Sequence, residues 1–184
     1  MGDLAAVMRA LDFAAQKHAL QRRKGEVGEP YINHPIRVAR YLSDVAGITD
    51  PAVIQAALLH DTLEDTDTSE AELREHFGDT VTELVLELTD DKSLPRRTRE
   101  RIQVDEAASR STDAANIKLA DKLANVTDII EHPPADWTRE RKLRYLEWSE
   151  EVTERLPNTD SRLYELYRHR LAEGRERVES ADRI

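Results

Sequence analysis

The chain has 184 residues, a length that suits one domain with a hydrophobic core and argues against two. Its formal net charge of −10 disfavours non-specific binding to nucleic acid or to an anionic membrane, and the absence of cysteine excludes disulfides, thiolate metal ligands and a cysteine nucleophile. No apolar run reaches the length of a membrane-spanning helix and the first residues lack the apolar core of a signal peptide, so we expect a cytoplasmic protein.

The hydropathy pattern predicts helices throughout the chain. Apolar residues recur at helical spacing, strand-like alternation is absent, and Pro or Gly marks most of the boundaries. In chain order, the predicted helices cover about residues 3–20, 34–47, 51–65, 69–77, 79–89, 96–109, 113–131, 138–155 and 159–178. We therefore predict an all-α fold, a compact single-domain bundle of about eight to ten helices over residues 1–178, with a frayed tail at 179–184.

An acidic turn with one histidine ends the third predicted helix. Its sequence is Leu-Leu-His-Asp-Thr-Leu-Glu-Asp, and on a continuous helix His60 lies over Glu64 and Asp61 over Asp65. Three carboxylates and an imidazole on one partly buried turn are unfavourable unless a cation lies among them, so the turn predicts a metal ion. The alternative is a helix that runs out into a solvated acidic loop, although acids at a helix C-terminus oppose the macrodipole.

Two other positions provide further metal-ligand candidates. His34 lies in the first turn of a predicted helix, and Asp121 lies on an amphipathic helix with Asn125 one turn further along the same face. Singly, His34 suits a helix-capping role and Asp121 an exposed acid paired with a neighbouring lysine. Together, two nitrogen and two oxygen donors suit Mn, Fe, Zn or Mg and leave positions for water and substrate; the candidate ligands are His34, His60, Asp61 and Asp121.

The order of these motifs, His…His-Asp…Asp, resembles that of the HD-domain phosphohydrolase superfamily. A closer resemblance is to the hydrolase domain of SpoT-type alarmone enzymes, and in particular to their small stand-alone relatives, the metazoan SpoT homologue type. It extends over essentially the whole chain, and the segments that carry it are residues 23–24, 28–35, 56–66, 89–95 and 118–125. The resemblance implies the HD-domain fold.

The resemblance also implies an activity: metal-dependent hydrolysis of guanosine tetra- and pentaphosphate (ppGpp and pppGpp), which releases pyrophosphate from the ribose 3′ position and gives GDP or GTP. The family's usual metal is Mn²⁺. Carried over by motif, its metal ligands are His34, His60, Asp61 and Asp121, and its catalytic acid pair is Glu64 and Asp65. A bound divalent ion lowers the pKa of water toward neutrality, and the acid pair would orient that water or move its proton. The chain leaves no room for the synthetase domain of the long enzymes, so alarmone synthesis is not expected.

Substrate contacts are predicted mainly among basic and aromatic residues. Phosphate charge requires fixed cations in addition to the metal, and in an acidic protein these must be local. The candidates are Arg23, Lys24, Arg96 and Asn125, and the resemblance adds Tyr145, which matches a substrate-contacting tyrosine of the family. The alternatives are a solvated face that pairs with nearby acids for the basic residues, and a core aromatic for Tyr145. The family has lysine at the position of Arg96, which weakens that assignment.

Other functions fit the same motifs. Small relatives of this type have been linked to removal of the 2′-phosphate of NADPH, and other HD proteins hydrolyse nucleoside monophosphates; the same ligands would serve all three reactions. A non-enzymatic nucleotide sensor is a third possibility, but degenerate HD domains lose a ligand or the acid pair, and here every position is filled. We therefore expect a small nucleotide as substrate and no nucleic acid or membrane partner, while the oligomeric state stays open.

Overall fold

The computed structural model describes residues 2–24 and 28–180, and helices dominate this part of the chain. Its α-helices are α1 (Gly2–Lys17), α2 (Asn33–Arg40), α3 (Pro51–Leu59), α4 (Thr62–Asp65), α5 (Glu70–Leu88), α6 (Arg96–Glu106), α7 (Thr112–Glu131), α8 (Arg139–Thr153) and α9 (Ser161–Ser180). A π-helical turn, Tyr41–Val45, continues α2, and a 3₁₀ turn, Ala107–Ser109, continues α6. Within these residues, β pairing includes the isolated bridge of Arg22 with Pro30. The predicted all-α bundle is confirmed.

Local capping explains where several helices begin. The Asp50 carboxylate accepts a hydrogen bond from the Ala52 N–H at 2.8 Å, and Pro51 is the first residue of α3. Ser69, Ser111 and Thr138 cap α5, α7 and α8 through their hydroxyl oxygens. Each cap satisfies a backbone N–H that the helix leaves unpaired. The observed starts of these four helices agree with the predicted starts within about two residues.

Two helices that we predicted separately are joined at a bend. Gly78 has φ +78°, a left-handed value that favours glycine, and it divides α5 into two parts. The prediction of two helices with a boundary at Gly78 therefore describes the backbone well.

The prediction of one unbroken helix over 51–65 was wrong. α3 ends at Leu59 and the short α4 begins at Thr62, so His60 and Asp61 form the junction between them. The buried Thr62 hydroxyl donates to the Leu59 carbonyl at 2.6 Å, which satisfies an end group of α3, while Asp61 departs from helical geometry with φ −97° and ψ −3°. The ligand candidates therefore sit at a helix end, where the chain changes direction.

α7 is the central helix of the fold. It packs against α2, α3, α5, α8 and α9, and its apolar residues are buried on all sides. Three charged residues in its middle, Lys118, Asp121 and Lys122, are also buried. Charged side chains are rarely buried without partners, so their position predicts an internal polar site next to α7.

Some of the sequence predictions concern segments at the limits of the structure. α9 continues to Ser180, whereas residues 181–184 of the predicted tail and residues 25–27 of the basic loop lie outside the described residues. Across the helices within 2–24 and 28–180, none combines the length and the apolar character needed to cross a lipid bilayer.

Candidate active site

A cavity of about 510 Å³ opens beside α7. Its walls come from α2, the α3–α4 junction, α6, α7, α8 and the segment that follows α1. It brings together every site residue predicted from the sequence: Arg23, Lys24, His34, His60, Asp61, Glu64, Asp65, Arg96, Asp121, Asn125 and Tyr145. Their individual roles stay predictions, but their convergence makes this cavity the candidate active site.

The four predicted metal ligands face one another. His34 Nε2 is 3.1 Å from Asp121 Oδ1 and 3.7 Å from Asp61 Oδ2. His60 Nε2 is 3.1 Å from Asp61 Oδ2 and 3.9 Å from Asp121 Oδ1. Ligand atoms about 2.0–2.2 Å from one ion lie roughly 3–3.5 Å from one another, so small side-chain adjustments bring these atoms to a shared centre. The buried group of His34, His60 and Asp121 forms a candidate metal site.

His60 has the hydrogen bonding expected of a metal ligand. Its Nδ1 lies 2.7 Å from the Ala57 carbonyl oxygen and therefore carries a proton, which directs Nε2 toward the carboxylates. Nε2 is buried, and no residue in the described part of the chain forms a hydrogen bond with it. A buried ring nitrogen in this setting needs a proton or a metal ion, so the residues fit a divalent cation.

The charges of the group also favour a cation. Burial would raise the pKa of Asp61, but His60 and His34 hold it well below its ordinary value. Burial would lower the pKa of His60, yet Asp61 and Asp121 raise it to about 9. Two buried carboxylates thus draw positive charge to the His60 ring, whereas burial lowers the pKa of His34; a divalent ion would displace the His60 proton on binding.

Two hydrogen bonds orient the two carboxylates of the candidate metal site. The Tyr31 hydroxyl donates to Asp61 Oδ2 at 2.6 Å, and the Asn125 amide nitrogen donates to Asp121 Oδ1 at 2.6 Å. Sequence reasoning placed Asn125 near Asp121 but missed Tyr31, although Tyr31 lies only three residues before His34. Such partners fix the direction of a metal ligand and tune its affinity.

Replacing Tyr31 with Phe should therefore weaken binding of a divalent ion by about tenfold to a hundredfold, because Asp61 loses its hydroxyl partner while the ring remains. Titration of the metal-free protein with Mn²⁺ measures the change. Tyr41→Phe is the matched control, since the Tyr41 hydroxyl lies 3.4 Å from Thr127 Oγ1 and not in the cavity. Equal affinities for the two variants would remove Tyr31 from the support of the site.

The predicted acid Glu64 is held between a cation and a backbone donor. Its Oε1 accepts from Arg99 Nη1 at 3.2 Å, and its Oε2 accepts from the Asp90 N–H at 3.4 Å. Burial, followed by the negative charges of Asp90, Asp61 and Asp65, raises the pKa of Glu64 to about 7. A carboxyl group with that pKa exchanges protons readily at neutral pH, which suits an acid–base role.

The predicted basic contacts differ in their surroundings. Arg23 is partly buried, donates to Asn125 Oδ1 at 2.8 Å and forms an ion pair with Asp128, so it is anchored in the protein. Lys24 is exposed at the edge of the cavity. Arg96 is half-exposed and donates to Glu100 at 2.6 Å. Lys24 and Arg96 are therefore the freer of the three to turn toward a phosphate.

Aromatic rings form another part of the wall. Tyr145 lies between Trp137 and Trp148, with ring centroids 5.4 Å apart in both pairs. Burial raises the pKa of the Tyr145 hydroxyl well above its ordinary value, so the group stays a hydrogen-bond donor. Lys122 lies over the Trp148 ring with Nζ 3.9 Å from its centroid. The sequence predicts no chemical role for Trp148, and its contact with a buried cation is a structural one.

Gln103 is a site residue that sequence reasoning missed. Its Oε1 accepts from Lys122 Nζ at 3.1 Å and its Nε2 donates to Asp90 Oδ2 at 2.6 Å. Gln103 thereby links Lys122 of α7 to Asp90, whose backbone N–H donates to Glu64. Because Gln103 and its two partners come from three separate parts of the chain and form no motif, no sequence signal could have identified Gln103.

The fold and the metal-ligand geometry together define a class of protein. A family profile described as HD domain matches residues 10–146, which is more than half of the chain. The chain belongs to the HD domain family, as its motifs predicted, and the buried His/His/Asp group is typical of that family.

Particular relatives are more informative. The chain is 51% identical over 170 residues to the human guanosine-3′,5′-bis(diphosphate) 3′-pyrophosphohydrolase MESH1. The match covers 92% of this chain and 95% of that protein. It is 45% identical to the Drosophila melanogaster protein of the same name, over 90% of this chain and 95% of that protein. A solved structure described as a metazoan ortholog of SpoT that hydrolyzes ppGpp matches with a TM-score of 0.89 at 44% identity, covering 92% of this chain and 95% of that chain.

A more distant structure shares the architecture. The crystal structure of lmo0812 from Listeria monocytogenes EGD-e matches with a TM-score of 0.66 at 28% identity, over 80% of this chain and 99% of that chain. The predicted HD fold is confirmed by these structural matches.

Proposed function

We propose that this protein is a metal-dependent hydrolase of ppGpp and pppGpp that releases pyrophosphate from the ribose 3′ position. The observation that carries the proposal is the cluster of two histidines and two carboxylates beside Glu64, in a chain about half identical to the human ppGpp pyrophosphohydrolase along nearly its whole length. We assign the ligands as His34, His60, Asp61 and Asp121, and the ion as Mn²⁺; Zn, Fe or Mg would suit the same donors.

A divalent ion bound there would lower the pKa of water and neutralise charge on a phosphoryl group. In the proposed reaction, water oxygen bonds to the phosphorus attached to the ribose 3′-oxygen, the P–O3′ bond breaks, and pyrophosphate leaves. Glu64 accepts the proton of the attacking water, and Asp65 orients that water or returns a proton to the 3′-oxygen. Because burial and neighbouring carboxylates raise the pKa of Glu64 to about 7, it can both accept and release a proton near neutral pH.

The remaining cavity residues bind the nucleotide. We assign Lys24 and Arg96 to the phosphates, because both are basic residues at the cavity wall with solvent-exposed side chains. Arg23, anchored by Asp128, presents a planar guanidinium for the base or the ribose together with Asn125. Tyr145 supplies a buried hydroxyl donor for the sugar.

The decisive assay compares substrates side by side. Metal-free protein is supplied with Mn²⁺ and given ppGpp, pppGpp, NADPH or a nucleoside monophosphate, and products are separated by ion-exchange chromatography. We expect GDP or GTP with pyrophosphate from the alarmones, and a kcat/KM at least about tenfold above that for NADPH, which corresponds to roughly 1.4 kcal/mol. A higher kcat/KM with NADPH would assign the site to the 2′-phosphate reaction. Metal and alarmone binding without turnover would make the protein a sensor.

Metal analysis of the protein as isolated complements the assay. We expect about one divalent ion per chain, and removal by a chelator should abolish turnover until Mn²⁺ is restored. Full activity after removal of all divalent ions would overturn the proposed mechanism.

A further inference from the structure

A chain of hydrogen bonds connects the end of α1 to the predicted catalytic acid Asp65. Gln21 Nε2 donates to Asp65 Oδ2 at 3.1 Å, and Gln21 Oε1 lies 2.6 Å from His18 Nδ1. Gln21 lines the cavity, whereas His18 is buried behind it with 2% of its surface exposed. Neither residue belongs to the metal ligands or to the acid pair.

The partners fix the direction of this chain. A carboxylate can only accept hydrogen bonds, so the amide nitrogen of Gln21 must face Asp65 and its carbonyl oxygen must face His18. The ring proton of His18 must then be on Nδ1, where it donates to that oxygen. A reversed amide would place its oxygen against the carboxylate of Asp65, which is repulsive. Gln21 therefore has one stable orientation.

His18 and the backbone of Gln21 are themselves held firmly. The His18 ring packs against Tyr31 in a tilted arrangement with centroids 4.8 Å apart, and Tyr31 donates to the ligand candidate Asp61. The Gln21 N–H donates to the His18 carbonyl at 3.0 Å, and the Tyr31 N–H donates to the Gln21 carbonyl at 3.0 Å. One compact unit after α1 thus reaches both a predicted metal ligand and a predicted catalytic acid.

Asp65 has one other side-chain partner in the described residues, Lys92, with which it forms an ion pair through Oδ1. Lys92 is about half-exposed, so water screens that pair and the lysine side chain loses entropy in holding it. The Gln21 side chain has fewer rotatable bonds than the Lys92 side chain, and His18 fixes its far end. Gln21 is therefore better suited than Lys92 to hold the Asp65 carboxylate in one rotamer.

We propose that Gln21, oriented by His18, is a positioning residue that sets the direction of the Asp65 carboxylate for hydrolysis. This inference rests on the proposed function, in which Asp65 orients water or moves a proton. Gln21 acts through Asp65 and touches neither the ion nor the reacting phosphorus. Its removal should misplace the carboxylate without changing the metal ligands.

The test is a double-mutant cycle with Gln21→Met and Asp65→Ala, assayed with Mn²⁺ on whichever nucleotide the wild type hydrolyses. We expect Gln21→Met to lower kcat about tenfold to a hundredfold, with KM and metal content changed less than about threefold. In the Asp65→Ala background the same substitution should change kcat less than about twofold, because the group that it positions is gone. An equal loss in both backgrounds would show that Gln21 acts elsewhere and would overturn the inference.

Control variants separate positioning from folding. Gln16→Met makes the same change on the exposed face of α1, where the Gln16 side chain bonds Asp12, and should leave kcat unchanged. His18→Phe keeps a ring against Tyr31 but removes the donor to Gln21, and it should lower kcat in the same direction as Gln21→Met. It replaces Gln21→Met in the cycle if that variant does not fold. Wild-type kcat in both Gln21→Met and His18→Phe would contradict the inference.

A crystal structure of Gln21→Met gives a result that does not depend on activity. The Asp65 carboxylate is expected to leave its wild-type position while His34, His60 and Asp121 keep theirs. An Asp65 side chain that stays in place would overturn the inference even if turnover falls. If the wild type hydrolyses no nucleotide, the proposed function is rejected, and this structural comparison still decides whether Gln21 positions Asp65.

Discussion

Replacing His60 with Ala is expected to abolish binding of the divalent ion and to lower nucleotide turnover by roughly a thousandfold or more. The variant removes the Nε2 that faces both carboxylates, 3.1 Å from Asp61 and 3.9 Å from Asp121. Loss of the ion removes several kcal/mol of transition-state stabilisation, and each 1.4 kcal/mol is about tenfold in rate. Metal analysis and steady-state kinetics with Mn²⁺ measure the two effects.

Thermal unfolding tests the same variant without an assay of turnover. An ion present at about 100 times its Kd stabilises the wild type by roughly 2.7 kcal/mol, so Mn²⁺ should raise its Tm but leave that of His60→Ala nearly unchanged. In chelator the variant should also melt below the wild type, because Asp61 and Asp121 lose a neighbouring cation. His169→Ala, an equal change at an exposed position of α9, should behave as wild type. Full metal occupancy in His60→Ala would end the assignment of this site.

The candidate ligands stand out in the sequence because they lie in short runs with strong local signals. His60 and Asp61 end an apolar helix, and Asp121 lies on a helix whose apolar positions define its buried side. Each run specifies its own element, and the core then determines how the elements meet. All of the predicted residues therefore line one cavity, although nothing local specifies the distances between them.

The partners of these residues could not be predicted. Gln21 reaches Asp65 across 44 residues of sequence, and Arg99 reaches Glu64 across 35. These contacts arise only when the fold brings the segment after α1, and α6, next to α4, and Gln and Arg are common on solvated surfaces. The junction at His60 was missed for a related reason: α3 and α4 have helical sequence on both sides, and a buried hydroxyl of Thr62 marks the interruption.

The charge of Arg23 illustrates a limit of reasoning from composition. A basic residue in an acidic chain near a predicted phosphate site suggests an unpaired cation, but Arg23 and Arg37 both pair with Asp128. The ion pair reduces the net charge that Arg23 can offer and fixes the plane of its guanidinium. We therefore expect Arg23 to contact substrate through the plane of its guanidinium rather than through charge alone.

Glu64→Gln should keep the metal and the substrate but lower kcat about a hundredfold to ten-thousandfold, the range for loss of a general acid or base. The amide occupies the same volume and keeps an oxygen for Arg99 or the Asp90 N–H, yet it cannot take up a proton. KM and the Mn²⁺ content should stay within about threefold of wild type, which is the pattern of a group that acts in the transition state. The exposed variant Glu75→Gln on α5 is the control. Unchanged kcat in Glu64→Gln would remove this residue from the mechanism.

The pH dependence gives Glu64 a second, independent signature. Burial and then the charges of Asp90, Asp61 and Asp65 raise its pKa to about 7, so as a base it is ionised above that pH. Wild-type kcat should rise with pH toward 7, and a bound divalent ion would move this limb of the profile to lower pH. The Glu64→Gln variant should lack the limb.

In the metal-free protein the raised pKa means that Glu64 supports stability below its ordinary pKa of 4.5, and that this support is lost as pH rises through about 7. Glu64→Gln should therefore be more stable than wild type at pH 8, by on the order of 2 kcal/mol, and the difference should shrink as pH falls toward 4.5. Thermal melts in chelator across this range measure it, and a constant difference between the two proteins would contradict the raised pKa.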